Sequence, residues 1–324
     1  MIDFYESITG NSINDYTFKL PGQKLVSALL CSKDYIPSDA KIDPISYLES
    51  PYGYPGIDTG KKTSSVDASR MRPLDYSSLH LFHLIRPSIS NLLDSNLENN
   101  LYQVGWEILE ANNCIYVFLP EHKKDCIDKN IGKKRRAKIR KASEDLIIRE
   151  FTISDLKENS EVFERIKEIY KSHILSKKAS SFYLFSSIWN LGRSALSKID
   201  HVFFIAFSKS DRNSPLGFLL SIGSINVEIF LSATTSNGNL LNAPSLMRYH
   251  CIKHHLEQNS TKYINTGGVN TSRGGDDSFK RSFGGMPLPY KLYLKRNLVL
   301  YEDLARRHGI NFDSNNIKFW NKLY

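Results

Sequence analysis

The residues best placed by type and spacing to do chemistry gather late in this 324-residue chain, between Lys262 and Arg296. There Lys262-Tyr263-Ile264-Asn265 runs into Gly267-Gly268, and a polar turn follows with Asn270 and the acidic pair Asp276-Asp277. Phe279-Lys280-Arg281-Ser282-Phe283 comes next and ends on Gly284-Gly285. Paired glycines permit positive φ and close backbone approach, which a strand end beside a ligand needs. Asp277 could take a proton from a nucleophile; an acid at a helix start is equally explained by its favourable interaction with the helix dipole.

A second constellation is cationic. Lys133 to Lys141 carries seven basic residues in nine, and Arg136 and Arg140 are i,i+4 neighbours, a guanidinium pair suited to phosphate oxygens. A solvated helix face explains the same run without a ligand. His250 and His254 have metal-ligand spacing, but no Glu follows His250, so no metal is expected. His80 and His83 read as half-buried strand residues.

These side chains need a scaffold. The spacing predicts a strand over Lys262 to Asn265, a short helix with Phe279 and Phe283 on one face, and an alternating strand through Tyr290, Leu292 and Leu294. Upstream, Asn113 to Leu119 reads as a buried strand and Asp125 to Ile148 as one helix with Ile139, Ala142 and Leu146 on its apolar stripe. A strand over Leu146 to Phe151 precedes helices from Asp155 to about Ser176 and from about Phe182 to Ser197. Strands over 201–208, 216–223 and 227–233 follow, then a helix from near Asn242 to about Gln258 with Pro244 in its first turn.

A net charge of +9 favours anionic partners without choosing among nucleic acid, phosphorylated small molecules and anionic membranes. The composition, 41% hydrophobic and 24% charged, is that of a globular protein. The first residues lack a basic-then-apolar leader, and Leu25 to Cys31 is too short to span a bilayer, so a cytoplasmic protein is expected. Four cysteines without a Cys-x-x-Cys pair are expected as thiols.

Gly267-Gly268 followed by Phe279-Lys280-Arg281-Ser282-Phe283-Gly284 resembles the C-terminal signature of the FemABX-like branch of the GNAT acyltransferases. Three further landmarks resemble the same group: Ser50 to Gly56, Leu79 to Pro87 ending in Arg86-Pro87, and Arg136, Ile139, Arg140, Lys141 and Ala142. The resemblance covers most of the chain from Ser50 to Lys295. The order strand, two helices, three meander strands, helix, strand, helix, strand is also that of GNAT domains.

The resemblance implies an α/β (α+β) fold of two tandem GNAT-like domains, 1–143 and 144–324, each a mixed, mostly antiparallel sheet flanked by helices. It implies an N-acyltransferase, with Phe279 packed on the donor and Lys280 facing the transition state, and it leaves Asp277 as a candidate base. Tyr52, Tyr54, Arg86, Arg136, Arg140, Gly267, Gly268 and Asn270 become substrate contacts. Coenzyme A, as an acyl-CoA co-substrate, would be held at Ser232 to Asn242, through Ala233, Thr234 and Asn242. That loop departs from the Arg/Gln-x-x-Gly-x-Gly/Ala pattern of other GNAT enzymes, having only Gly238, which leaves the donor open.

Two substrate classes occur in the group: aminoacyl-tRNA for extending peptidoglycan precursors, and acyl-CoA for N-acylating nucleotide-linked amino sugars of surface polysaccharide (O-antigen, lipopolysaccharide, capsule). The chain has no heptad stretch for a coiled-coil arm, and its one strong basic run is sparse for tRNA. The expected partners are therefore acyl-CoA and a nucleotide-diphosphate amino sugar, such as a dTDP-linked 3-amino-3,6-dideoxyhexose. The alternatives are an aminoacyl-tRNA-dependent peptidoglycan bridge enzyme and a non-catalytic module binding RNA or anions through Lys133 to Lys141.

Overall fold

A computed structural model describes residues 94–119, 127–178, 186–190, 195–258, 260–268 and 277–300, together with strand segments 13–19, 25–35, 45–49, 57–58, 71–73 and 82–85 and isolated residues 6, 184, 303 and 306. The fold is α/β: mixed, mostly antiparallel sheet flanked by helices, as the order of elements predicts. Two compact units can be drawn, Met1–Gly10 with Ala111–Tyr290, and Asn11–Glu110 with Lys291–Tyr324. This division by contacts differs from the 143/144 boundary expected from motif order. The C-terminal residues group with the earlier part of the chain because Tyr293 to Arg296 pair antiparallel with Phe82 to Ile85.

The unit built on residues 11–110 has strands β1 (Ile13–Lys19), β2 (Leu25–Tyr35), β3 (Ile45–Glu49), β4 (Ile57–Asp58), β5 (Met71–Pro73) and β6 (Phe82–Ile85). The order is β5-β1-β2-β3-β6, with β4 on β2 and the end of β13 (Met286–Arg296) beside β6. Helix α1 (Ser95–Gln103) starts at Asp94, whose carboxylate accepts from the amides of Asn96 and Leu97. Leu97 and Leu101, at i,i+4, pack with Leu30, Ile85, Trp106 and Tyr293 into that unit's core.

The other unit carries the candidate site. Its sheet runs β7-β12-β11-β10-β9-β8, from β7 (Glu107–Phe118), β8 (Leu146–Phe151), β9 (His201–Ser208), β10 (Pro215–Ile222), β11 (Asn226–Thr234) and β12 (Tyr263–Gly268). All neighbours are antiparallel except β11 and β12. The middle strands are buried almost continuously, because helices cover both faces.

The helix expected over 125–148 is in fact two, α2 (Ile127–Asn130) and α3 (Lys133–Asp145). Ile131 turns into the core at 1% exposure, and Gly132 restarts the helix. The helix expected from Asp155 also divides. Thr152 and Asp155 form a capping box that begins α4 (Ile153–Glu158), and α5 (Ser160–Ser176) follows after Asn159. Of the helix expected from Phe182 to Ser197, the described residues form α6 (Ser186–Trp189) and a 3-10 turn, Ala195–Lys198.

After β11 come α7 (Ser236–Leu240) and α8 (Ala243–Glu257). Leu246, Met247, Cys251 and Ile252 of α8 pack on one sheet face with Phe204, Leu219, Val227 and Ile264. On the opposite face, Tyr170 of α5 meets Trp189 and Phe218 at ring distances of 5.3 and 6.0 Å. Helix α9 (Ser278–Arg281) lies between β12 and β13. Among the described residues no helix is long and apolar enough to cross a membrane.

Candidate active site

The site is built where β12 ends. Gly267 sits at φ +89°, a conformation that glycine alone adopts without strain, and its amide donates to Asn265 Oδ1 at 2.8 Å. This local bond turns the chain so that the Gly268 carbonyl accepts from Lys280 Nζ at 2.6 Å. A side chain at Gly267 would bring Cβ within 3.4 Å of that ammonium. Burial, reinforced by the charge of Arg248 and opposed by Cys114 and Asp277, pulls the Lys280 pKa down to about 8. Gly285 allows the return of the chain, since a Cβ there would lie 2.5 Å from Ile115 Cγ2 and 2.9 Å from the Lys280 carbonyl.

The aromatic pair of the motif carries two further cations. Phe279 and Phe283 meet edge to face at 5.4 Å, with Phe283 anchored in the core at 2% exposure. The Arg135 guanidinium lies 4.4 Å from the Phe279 centroid and 5.4 Å from that of Phe283; for Arg248 the distances are 5.2 and 5.9 Å. Arg135 is fixed by donating Nε to Ser282 Oγ at 2.9 Å and Nη1 to Ser245 Oγ at 2.8 Å. Arg248 is 6% exposed, and its Nε and Nη1 are buried without a hydrogen-bond partner. Burial, with Arg135 adding repulsion, brings its pKa down to about 10, so it stays charged at neutral pH. Each cation–π contact contributes about 0.5–2 kcal/mol. Desolvating a guanidinium costs several kcal/mol, so stacking alone does not offset the burial.

A wedge opens beside this cluster. Strands β11 and β12 pair only through Asn226 to Glu228 and Tyr263 to Asn265, although β11 continues to Thr234 and β12 to Gly268. Past that point the facing backbone edges are not paired with each other and can receive an extended ligand arm. At the apex, Glu228, Asn265 and Tyr116 are register partners across three strands and share one face. Burial raises the Glu228 pKa to about 8, and no hydrogen bond or ion pair engages its carboxyl among the described residues. The Tyr116 hydroxyl is buried without a partner, and its pKa is raised by burial and by Cys114 and Glu228. A carboxyl poised near neutrality and free of partners can take a proton from an amine.

Beyond the far end of β11 lies a cavity of about 680 Å³, lined by Arg165, Glu168, Lys171 and His173 of α5, by Lys177 just past its end, and by Thr234, Thr235 and Asn239. Its cations, hydroxyls and amides suit phosphate oxygens, and the carboxylate of its lining, Glu168, is paired with Arg165 at 3.0 Å.

The structure brings together Gly267, Gly268, Phe279 and Lys280. Asp277 begins α9 and pairs with Arg281 at 3.5 Å, while its charge also reaches Lys280. Arg136 and Arg140 are on the exposed side of α3, Arg136 donating Nη1 to the Ile131 carbonyl at 2.8 Å; their neighbour Arg135 is the arginine that turns inward. Of the three loop residues, Thr234 lines the cavity, Ala233 is core at 4% exposure, and Asn242 is the left-handed residue at φ 59° before α8. Tyr52, Tyr54, Arg86 and Asn270 lie outside the described residues. Arg135, Arg248, Glu228 and Tyr116 escaped the sequence reading. Glu228 carried a signal as the acid of a mostly apolar strand, and Arg135 as a member of the basic run.

No family model matches the sequence, and no curated protein does. Solved structures do resemble it in fold. A crystal structure of FemX superposes with a TM-score of 0.63 at 11% identity, covering 92% of each chain. A C-terminal domain (DUF2156) from Agrobacterium fabrum, assigned to a lysylphosphatidylglycerol synthetase, gives 0.53 at 9% identity, covering 94% of this chain and 96% of that one. At such identities the likeness is one of fold, and the chain shares the FemX fold over most of its length.

Proposed function

We propose that the protein is an N-acyltransferase that moves an acyl group from acyl-CoA to the amine of a nucleotide-linked amino sugar. The observation that carries this reading is the wedge between β11 and β12, with Glu228 at its apex and Lys280 at its end. The thioester arm would lie along the unpaired strand edges, with the donor phosphates toward Lys171, Lys177 and Thr234. Glu228 accepts a proton from the acceptor ammonium or from the attacking amine, and the nitrogen forms a bond to the thioester carbonyl carbon. The oxyanion so formed is stabilised by the Lys280 ammonium and by strand N–H groups. Collapse of the tetrahedral intermediate breaks the C–S bond, and the thiolate leaves as coenzyme A thiol after taking up a proton. Glu228 fits the base better than Asp277, whose carboxylate already faces Arg281.

A second reading, aminoacyl-tRNA as donor, is supported by the fold likeness to FemX and to the domain assigned to a lysylphosphatidylglycerol synthetase. The same residues would then act on an ester. The two readings separate on incubation of the protein with a dTDP-linked amino sugar and either acetyl-CoA or charged tRNA, following amide product and free thiol. Product with stoichiometric thiol from acetyl-CoA is expected. Product with charged tRNA only, weakened steeply by salt, would replace the first reading with the second.

A further inference from the structure

We infer that Arg248 and Arg135 form a phosphate-binding subsite beside Lys280, occupied by the phosphate group of the acceptor substrate. Arg248 presents Nε and Nη1 with no hydrogen-bond partner, although the side chain is only 6% exposed. The charged or titratable neighbours that influence it are Cys251, Arg135 and Lys280, with no carboxylate among them. A guanidinium desolvated in this way, and held near two other cations, is arranged in advance for an oxygen-rich anion. Arg135 is equally prepared, because its bonds to Ser245 and Ser282 fix the plane of its fork. Both serine hydroxyls accept from Arg135; Ser282 donates its own hydrogen to the Phe279 carbonyl at 2.6 Å, and that of Ser245 is left for an incoming oxygen.

Charge selects among anions. Three positive groups match the diphosphate of a nucleotide-linked sugar, in which each phosphate carries one negative charge, better than a singly charged carboxylate. Position then selects the substrate that bears it. In coenzyme A the whole pantetheine arm separates the pyrophosphate from the thioester. In a nucleotide-linked amino sugar the diphosphate is one sugar ring from the amine, so a phosphate beside Lys280 belongs to the acceptor. Naming the acceptor as bearer rests on the acyl-transfer reading; the phosphate subsite itself does not.

Inorganic pyrophosphate is the probe. Its binding to the full chain, by calorimetry and thermal shift, is compared with that of acetate at matched ionic strength, for wild type, Arg248→Met and Arg135→Met. Pyrophosphate should bind wild type and raise its Tm, acetate should not, and each variant should weaken pyrophosphate by at least about tenfold. In phosphate-free buffer Arg248→Met should melt no lower than wild type, since it removes an unpartnered buried charge, and this shows that a loss of binding is not a loss of fold. Pyrophosphate no better than acetate, or equal binding by folded variants, would overturn the subsite. In the steady state the variants should raise KM for the amino-sugar nucleotide and leave that for acyl-CoA unchanged. A rise confined to acyl-CoA would keep the subsite and overturn its assignment to the acceptor.

Discussion

Helix α8 buries two basic side chains, Arg248 and His255, seven residues apart along one stripe, and their surroundings treat them oppositely. His255 lies against β10, where its Nε2 and Ser221 Oγ are hydrogen-bonded at 2.9 Å. Burial, aided by the neighbouring His254, brings its pKa down to about 4, so the ring is neutral and satisfied. Arg248 lies toward the end of β12, remains charged, and keeps two buried nitrogens without partners. Both are costly in an apolar setting, but only the His255 environment compensates its polar group from within the chain. A completed polar pair holds the helix on the sheet. An uncompleted one is a place reserved for something that arrives later.

The sharpest way to break this contrast is to remove the cation at the open end. Lys280→Met should lower kcat by about 10²–10³ while the protein stays folded, as loss of one oxyanion donor does. In wild type the activity should rise toward pH 8 as Glu228 gives up its proton and fall above it as Lys280 does, both being placed at about 8. Glu228→Gln should abolish the acid limb, and Lys280→Met the alkaline one. An unchanged profile in either variant removes that residue from the chemistry.

At the closed end the expected effect is on stability alone. His255 is neutral in the folded chain until about pH 4, whereas in the unfolded chain it takes a proton near 6.5. The unfolded state therefore binds more protons over that window, and stability present above pH 6.5 is lost as the pH falls toward 4. The contribution of this one group is on the order of 3 kcal/mol at the acid end. Denaturation of wild type and His255→Asn across pH 4 to 7 isolates it, because His173 and His250, also lowered by burial, remain in both proteins. Parallel stability curves for the two proteins would show that His255 is not held neutral.

The smallest effect is expected on the outer face of α3. Arg136→Ala and Arg140→Ala should each change stability by no more than about 0.5 kcal/mol, as surface substitutions usually do. They should also leave kcat unchanged, since both side chains are exposed. A large loss of acceptor affinity in either would move the anion site from Arg248 to the helix exterior.

The sequence alone determined the order of elements, the glycines that turn the chain at 267 and 284, and the Phe279-Lys280 pair. These depend on local periodicity and on backbone conformations that few residues adopt, so they can be read along one segment. Helix ends were less legible, as the breaks at Gly132 and Asn159 show, because capping at Thr152 and the inward turn of Ile131 outweigh continuous propensity. Tertiary structure alone decided which arginine turns inward. Arg135, Arg136 and Arg140 stand in one basic run, and only packing against Ser245, Ser282 and Phe279 distinguishes the first from the others. Arg248 and Glu228 were hidden for the same reason. A charge becomes unusual when it is buried without a partner, and burial is a property of what the rest of the chain brings to it.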